Sequence, residues 1–331
     1  MSAAVLAPAG APATRAAAGK VRGIAVYVLK RLGLLAFVLW GVVSFLFVMA
    51  RLSGDPAVLF SEPDATEDQI QLTRERFGLD RPLAEQYFSA LAGALKLDFG
   101  MSYTFGLDAF TLVAERMALT LQVLLPGLLI GVAAAFVVGI YAALNRSKAR
   151  SRVLMSVAFL LDGIPYFFLA LLLVLLFALS WRLLPATGSG TFEHTILPIA
   201  VLALSSVATL SRLVRGQFLD VLGEGHIQMA RSKGISPASV LFRHALPTAL
   251  PPLISFVGLL FSISFGSLVV LEPIFNYSGL GALLVRSVTT RDFPVVQAGV
   301  FAIALLITVI NLAIDAIVTL IDPRLRTKVA K

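Results

Sequence analysis

Six apolar runs, each long enough to cross a lipid bilayer, constrain the fold of this chain more than any other feature. A transmembrane helix needs about 20 residues, because it rises about 1.5 Å per residue through about 30 Å of hydrocarbon. The sequence therefore predicts an all-α integral membrane protein with six transmembrane helices. The runs lie at 24–50, 118–143, 153–180, 195–214, 248–271 and 295–320.

The composition supports a membrane protein. Of the 331 residues, 58% are hydrophobic and only 14% are charged, whereas soluble globular chains are about 45–50% apolar and about 25% charged. The net charge of +8 could suggest a nucleic-acid partner, but basic residues interleaved with aromatics on one soluble face are absent. We therefore predict surroundings of membrane lipid and no nucleic-acid partner. The lack of cysteine excludes disulfides, cysteine zinc sites and thiol catalysis.

The distribution of lysine and arginine predicts the orientation of the spans. With the N-terminus in the cytoplasm, 18 of the 27 basic residues fall in cytoplasmic segments, as the positive-inside rule requires. Both termini are therefore predicted to be cytoplasmic. We expect a disordered cytoplasmic tail at 1–20, a first transmembrane helix at 21–50, a transmembrane core at 118–323 and a second cytoplasmic tail at 324–331.

The predicted external segment 51–117 is too long to be a simple connector. Thr66 with Gln69 resembles a capping box, and Gly78 suits the end of the helix that this box starts. Pro82 then suits the first turn of a second helix. We therefore expect a small helical cap on the outer surface, followed by an amphipathic approach to the second span.

A basic segment between the fourth and fifth spans carries the strongest local signals. It predicts a short helix ending near Lys233, followed by a left-handed turn at Gly234. A second helix follows, with Ser236 as its N-cap and Pro237 at its first position. We expect that helix to end at Leu246 and Pro247, where the fifth span begins. Two short helices joined to membrane spans form a suitable docking element for another protein.

This segment, 220–247, resembles the EAA loop of binding-protein-dependent ABC transporter permeases. Gly234 matches the family glycine, and Leu246 with Pro247 matches its Leu-Pro pair at the family spacing. His244 replaces an isoleucine, and Ala230 is the only match to the Glu-Ala-Ala triplet. The run 230–234, Ala-Arg-Ser-Lys-Gly, is similar to the core found in the peptide branch of the family.

Further segments, in order along the chain, resemble the B-type membrane subunit of dipeptide and oligopeptide importers. They are Gly54-Asp55-Pro56, the run 76–83, Ile274-Phe275, Gly279-Leu280-Gly281, the run 290–297 and Asp322-Pro323-Arg324. The resemblance implies the type I ABC importer permease fold in a prokaryotic cytoplasmic membrane. It also implies pairing with a second, related permease subunit, with a homodimer as the alternative. Two cytoplasmic ATPase subunits and an external substrate-binding protein complete the implied assembly.

The resemblance assigns this chain the coupling of ATP-driven motion to transport. The predicted coupling residues are Glu224, Ala230, Arg231, Lys233, Gly234, Leu246 and Pro247. No glycine-rich phosphate loop is present, so we expect partner subunits to hydrolyse the ATP and this chain to be neither an enzyme nor a cofactor carrier. The three histidines are not accompanied by an acidic or thiol cluster, and no metal site is predicted. The implied substrate is a di- or oligopeptide, with nickel, glutathione or sugars as alternatives.

Polar residues inside the predicted spans are candidates for the translocation path, because charges are costly there and often mark function. Asp162 either faces the path or anchors a kink beside Gly163 and Pro165. Asp315 is predicted to be a snorkelling or ion-paired residue near the membrane interface. A small and polar stripe in the fifth span indicates close helix packing, a water-filled path, or both. The stripe comprises Ser255, Gly258, Ser262 and Gly266.

Two other classes of protein fit the sequence less well. A secondary transporter would show two halves of matching hydropathy and broken helices at the membrane midplane, neither of which the sequence indicates. An intramembrane hydrolase would need a serine–histidine or paired-aspartate arrangement at one depth. Asp162 and Asp315 are predicted at different depths, and no histidine lies within a predicted span.

Overall fold

The computed structural model describes residues 13–52, 54, 57–58, 66–76 and 78–321. These residues are helical apart from loops and one isolated β-bridge between Met101 and Asp108. The helices are α1 (Ala13–Leu52), α2 (Glu67–Arg76), α3 (Leu83–Leu95), α4 (Ala109–Leu144), α5 (Ala149–Asp162), α6 (Tyr166–Ser180), α7 (Glu193–Leu222), α8 (Gly225–Ser232), α9 (Pro237–Ile274), α10 (Leu280–Thr289) and α11 (Phe293–Ile321).

The predicted six-span, all-α fold is confirmed. Five helices are long and apolar enough to cross a membrane, namely α1 from Leu29 onward, α4, α7, α9 and α11. The pair α5 and α6 supplies the sixth span when the two are counted together. Every predicted apolar run therefore coincides with one helix or with this bent pair.

The third span departs from the expected single helix at 153–180. α5 and α6 meet at an angle of 104°, which is a break and not the mild kink that Gly163 and Pro165 predicted. Pro165 is the N-cap of α6, and its ring disfavours a helical conformation at the residue before it. Two helices therefore replace one.

The predicted boundary at Leu246 and Pro247 is wrong, because the second short helix and the fifth span form one helix, α9. A π-helical turn at Val240–Ala245 ends two positions before Pro247. Proline lacks an N–H and its ring crowds the carbonyl four residues earlier. A wider helical turn relieves that conflict without ending the helix. The docking element is therefore continuous with a span.

The prediction of a disordered tail over 1–20 is also wrong in part, because α1 begins at Ala13. Half of the segment 13–20 is alanine, the residue with the highest helix propensity. Residues 1–12 lie outside the described part of the chain. So do Asp55, Pro56, the segment 322–331 and Phe77, which carried part of the family resemblance.

Two ends of the bundle are distinguished by the segments that they carry. The cap end carries α2, α3 and the loop 96–108, and the coupling end carries α8 and the turn at Gly234. At the cap end, Gln69 Oε1 accepts from the backbone N–H of Thr66 at 2.9 Å, which confirms the capping interaction. Gly78 has a φ of +63°, as a helix-ending glycine requires. Pro82 is the N-cap of α3 and so precedes its first turn.

The centre of the fold is a seam between two parallel spans, α4 and α7. Gly127, Gly131 and Gly139 each face a residue of α7 that lies the same number of positions later in the chain. A Cβ atom on Gly131 would lie 2.6 Å from Ser206 Cβ, and one on Gly139 would lie 2.6 Å from Val214 Cβ. The two backbones therefore approach closely, as small-residue seams allow in membranes.

Candidate coupling segment and translocation path

The coupling segment begins with α8, which packs one face on the core and exposes the other. Ile227 and Ala230 are buried in the main hydrophobic cluster. Arg231 and Lys233 are exposed on the outside of the same helix end. The side chain of Glu224 is half-exposed and lies 3.1 Å from His226 Nδ1. α8 is thus anchored by two apolar residues and leaves its charges available to a partner.

The turn after α8 depends on the backbone of Gly234. Its φ is +74°, in the left-handed region that favours glycine. A Cβ atom at this position would meet nothing within 4 Å. Glycine is therefore required here by backbone conformation and not by crowding, and the predicted left-handed turn is confirmed.

The second part of the segment leads directly into the fifth span. Ser236 Oγ accepts from Ser239 N at 3.4 Å, and Pro237 follows the cap, as predicted. Val240 and Ala245 are buried in the cluster that holds Ile227. A displacement of α8 would therefore be transmitted through a packed contact and through the unbroken helix α9.

The remaining predicted coupling residues differ in their burial. Leu246 is half-buried against the core, whereas Pro247 is exposed. Two large apolar residues that the sequence analysis did not select are also exposed here. Met229 and Phe242 present 61% and 62% of their surfaces. The coupling segment therefore exposes an apolar and basic surface, whose contact with another protein remains a prediction.

The predicted stripe on the fifth span is divided between two faces. Gly258 is buried against Ile314 and Asn311 of α11, and Ser262 Oγ accepts from Asn311 Nδ2 at 3.4 Å. Ser255 and Gly266 are exposed instead. They belong to a longer exposed line at spacings of three and four residues: Pro252, Ser255, Leu259, Ile263, Gly266 and Val270.

Asp162 makes two side-chain contacts with α7. Its Oδ1 accepts from Thr209 Oγ1 at 2.6 Å, and its Oδ2 is paired with Arg212. The Arg212 guanidinium also lies over the Phe159 ring at 5.6 Å. Asp162 thus fastens the end of α5 to α7 beside the break in the third span. Its role in the translocation path remains a prediction.

Asp315 is ion-paired, which is one of the two predicted alternatives. Its Oδ2 lies 2.5 Å from Arg31 Nη2, and the pair joins α11 to α1. Within the described part of the chain, no group of three or more histidine, aspartate or glutamate side chains could hold a metal ion. His194 hydrogen-bonds to Thr191 Oγ1 at 2.7 Å.

Comparison with known proteins identifies the family. A model described as "Binding-protein-dependent transport system inner membrane component" matches residues 135–327. The chain belongs to this family. It is accordingly a multi-pass protein of the inner membrane and a permease subunit of an ABC importer.

Curated relatives of this permease are similar along nearly the whole chain. The glutathione transport system permease protein GsiC of Escherichia coli K12 is 36% identical over 304 residues, which cover 91% of this chain and 99% of the relative. The protein of the same name from Shigella dysenteriae has the same identity and coverage. The resemblance to the dipeptide and oligopeptide class of ABC permeases is confirmed.

A solved structure supports the fold alone. Inward-facing conformations of the MetNI methionine ABC transporter include a chain that matches with a TM-score of 0.53 and 17% identity. The match covers 64% of this permease and 96% of that chain. The type I importer permease fold is therefore shown, although the side of the membrane on which the termini lie stays a prediction.

Sequence reasoning missed Glu272, a buried carboxyl group of the permease at the cap end of α9. Its Oε1 accepts from Thr120 Oγ1 of α4 at 2.6 Å, and its Oε2 accepts from the Ala282 backbone N–H of α10 at 3.0 Å. The Thr120 hydroxyl oxygen in turn accepts from Leu280 N at 2.8 Å. A side chain at Gly279 would overlap the Glu272 carboxyl group. Glu272 therefore joins three helices at one point.

Asp292, before the start of α11, forms a second buried node that the sequence analysis did not select. It is fully buried and accepts from Ser102 Oγ at 2.5 Å and from the backbone N–H of Thr104 at 3.1 Å. The neighbouring Tyr103 is largely buried, and this burial, with the Asp292 charge, raises its pKa to about 12 while Arg51 opposes the shift. Asp292 thus holds the loop 96–108 onto the bundle.

One available signal could have revealed the seam. Gly127, Gly131, Ala135 and Gly139 recur every four residues, which is the small-residue pattern of close helix pairs in membranes. Glu272 had a weaker signal, since it lies at the end of an apolar run where a charge is costly unless it is partnered. Nothing near Asp292 in the sequence indicates its partners, which lie about 190 residues earlier.

Proposed function

We propose that this permease carries peptides, or a peptide-like solute such as glutathione, through an importer driven by separate ATPase subunits. The proposed assembly contains this chain, a related permease subunit, two ATPases and an external binding protein that docks at the cap end. A heterodimer of permeases is favoured, because the sequence resembles one of the two membrane subunit types of peptide importers.

Similarity over nearly the whole chain supports the substrate class. The relatives are named as glutathione permeases, and glutathione is a tripeptide. The exposed line on α9 adds a physical argument, because it contains Ser255 and Gly266 among apolar residues and no charge. An uncharged surface with small residues would accept substrates whose side chains differ in charge and size.

The observation that carries the proposed mechanism is the unbroken helix α9 with the left-handed turn before it. In our proposal, an ATPase contacts the exposed surface of the coupling segment, including Arg231, Lys233, Met229 and Phe242. Closure of the ATPase pair would move α8 and tilt α9. Its exposed line would then open alternately to the two sides of the membrane. ATP would be hydrolysed by the partners, and this chain would hold no cofactor.

Uptake by the reconstituted complex tests the proposal. The permease, its partner subunits and the binding protein are placed in proteoliposomes, and ATP-dependent uptake of radiolabelled dipeptides, pentapeptides and glutathione is measured. Gly234→Pro is the test variant, because proline cannot adopt a φ of +74°. Gly225→Ala is the matched control, since a Cβ atom there meets nothing within 4 Å.

We expect uptake that requires ATP, is retained by Gly225→Ala and is abolished in Gly234→Pro. Equal uptake without the ATPase would contradict the proposal and favour a secondary transporter. ATP-dependent uptake of nickel or a sugar, with no uptake of peptides or glutathione, would leave the importer mechanism standing and refute the substrate class.

A further inference from the structure

The helix α3 packs against the side of two spans, at depths well below their cap-end termini. The Tyr87 and Ser44 hydroxyl groups lie 2.7 Å apart, and the rings of Tyr87 and Phe47 are 5.5 Å apart. Further along α3, Ala94 shares a buried cluster with Val43 of α1 and Phe301 of α11. The helix therefore lies beside the spans instead of above them.

The charges on α1 show how deep these contacts are. Arg31 and Arg51 bracket a run of uncharged residues, and their separation of 20 positions corresponds to about 30 Å of helix, the thickness of the hydrocarbon core. Val43 lies eight residues from Arg51 toward the coupling end, which is about 12 Å of helix. The antiparallel helix α11 has a charge at the same level. Its Asp315, toward the coupling end, pairs with Arg31 of α1.

α3 has three faces with different surroundings. One apolar face packs on α1 and α11 through Tyr87, Leu91 and Ala94. The polar face, which includes Gln86 and Ser89, lines a cleft of about 480 Å³ together with Arg51 and Gln297. The third face is apolar and exposed, and it repeats at spacings of four and three residues: Ala84, Phe88, Ala92 and Leu95.

The exposed apolar face is large for a water-facing surface. Phe88 is 66% exposed and Leu95 is 89% exposed. On α1, against which α3 packs, Phe45 and Val48 are also exposed, at 61% and 49%. A helix with one polar face, apolar surface elsewhere and a lysine at its end has the pattern of a helix lying in a membrane interface. Here Lys96 follows Leu95 directly.

We infer that α3 is embedded in the cap-end leaflet of the bilayer and that Ala84, Phe88, Ala92 and Leu95 contact lipid acyl chains. The paired permease is a less suitable occupant, because α3 packs on α1 and α11, and of these two spans it is α11 that packs on α9, the helix that carries the exposed line. The inference depends on the membrane location of the chain and not on the proposed substrate.

Spin labelling tests the inference cleanly, because the natural chain contains no cysteine. Single variants Phe88→Cys, Ala92→Cys and Leu95→Cys are labelled with a nitroxide in the assembled importer. The complex is reconstituted into nanodiscs of phosphatidylethanolamine and phosphatidylglycerol. Collision rates are measured with lipid-soluble oxygen and with a water-soluble nickel chelate. Phe45→Cys is the lipid-facing control, and Ser89→Cys, on the polar face of α3, is the water-facing control.

We expect the three test positions to show an oxygen-to-chelate ratio within twofold of that at position 45 and several-fold above that at position 89. A ratio like that of position 89 would overturn the inference and place the face in water. Low collision rates with both reagents, rising when the binding protein or the second permease is omitted, would assign the face to that protein and also overturn it.

Discussion

The two ends of this permease are held together in different ways. At the cap end, Glu272 and Asp292 are buried, and each accepts hydrogen bonds from groups far away in the sequence. At the coupling end, the polar contacts of the docking segment are local and exposed, as in the pair of Glu224 and His226 and the Ser236 cap. The cap end is therefore fixed from within the subunit, whereas the polar groups of the coupling end are exposed.

This difference has a physical consequence for transport. A buried carboxyl group with several donors cannot lose its partners without leaving polar groups unpaired, so the helices around it move together. An exposed contact of the kind found at the coupling end contributes about 1 kcal/mol or less. The polar contacts of the coupling segment therefore resist its displacement only weakly, whereas those of the cap end hold its helices together.

The largest expected effect contrasts one glutamate at each end. Glu272→Ala should lower the free energy of unfolding by about 3 to 5 kcal/mol, because it leaves the Ala282 N–H and the Thr120 hydroxyl unpaired and opens a cavity. Glu224→Ala should change the free energy of unfolding by less than about 0.5 kcal/mol, since the side chain is at the surface. SDS-induced unfolding in mixed micelles measures both.

Glu272→Gln refines this test, because the amide oxygen can still accept from the Ala282 backbone N–H. We expect it to recover more than half of the loss. Equal stability of the Glu272→Ala and Glu224→Ala proteins would refute the contrast between the two ends.

The second prediction concerns alkaline pH at the cap end. The pKa of Tyr103 is raised from 10.0 to about 12 in the folded state, so the folded protein holds the phenol proton more tightly than the unfolded protein. The resulting stability is fully present below pH 10 and is lost as the pH rises from 10 to 12. A shift of this size corresponds to about 2 to 3 kcal/mol.

Unfolding measured at pH 9, 10 and 11 checks this prediction. Tyr103→Phe should show a shallower loss of stability between pH 10 and 11 than the natural protein. Tyr141→Phe, a substitution on a partly exposed face of α4, should keep the natural slope. Indistinguishable slopes in the two variants would show that Tyr103 does not carry the alkaline sensitivity.

The sequence was sufficient for features set by local chemistry. Runs of apolar residues predicted the spans, Gly234 predicted its own left-handed turn, and Thr66 with Gln69 predicted a capping interaction that the structure contains. Each of these depends on residues within a few positions of one another or on the simple length of a helix in a membrane.

Features set by long-range packing were beyond such reasoning. The contact between Asp162 and Arg212 joins residues 50 positions apart. The division of the α9 stripe into a buried and an exposed half depends on where α11 lies. The continuity of α9 past Pro247 depends on a π-helical turn, for which the sequence has no simple signal. The type of each element was therefore predictable, and the partners of its polar groups were not.

The third prediction tests the seam that joins the two ends. Gly131→Ala should destabilise the permease by about 1 to 3 kcal/mol, because its Cβ atom would lie 2.6 Å from Ser206 Cβ and overpack the seam. Gly216→Ala is the control, since it lies on α7 with nothing within 4 Å of the added atom. It should be neutral or slightly stabilising, because alanine favours helix. Similar losses in both variants would indicate a general helix effect and not a close seam.

The smallest effect on stability is expected at Gly234, where the consequence for coupling should nevertheless be large. The free-energy cost of the left-handed conformation increases from asparagine to alanine to valine, with alanine at about 1 kcal/mol. Because an added Cβ atom meets nothing within 4 Å, the three variants differ only in backbone preference. Stimulation of the ATPase by loaded binding protein should fall in the order Gly234→Asn, Gly234→Ala, Gly234→Val, while the unfolding midpoint changes little. Should valine stimulate as well as asparagine, the turn would have no part in coupling, and the coupling end would act only as a passive anchor. A graded loss would instead mean that the end with the weakest internal contacts is the one whose backbone geometry the ATPase uses.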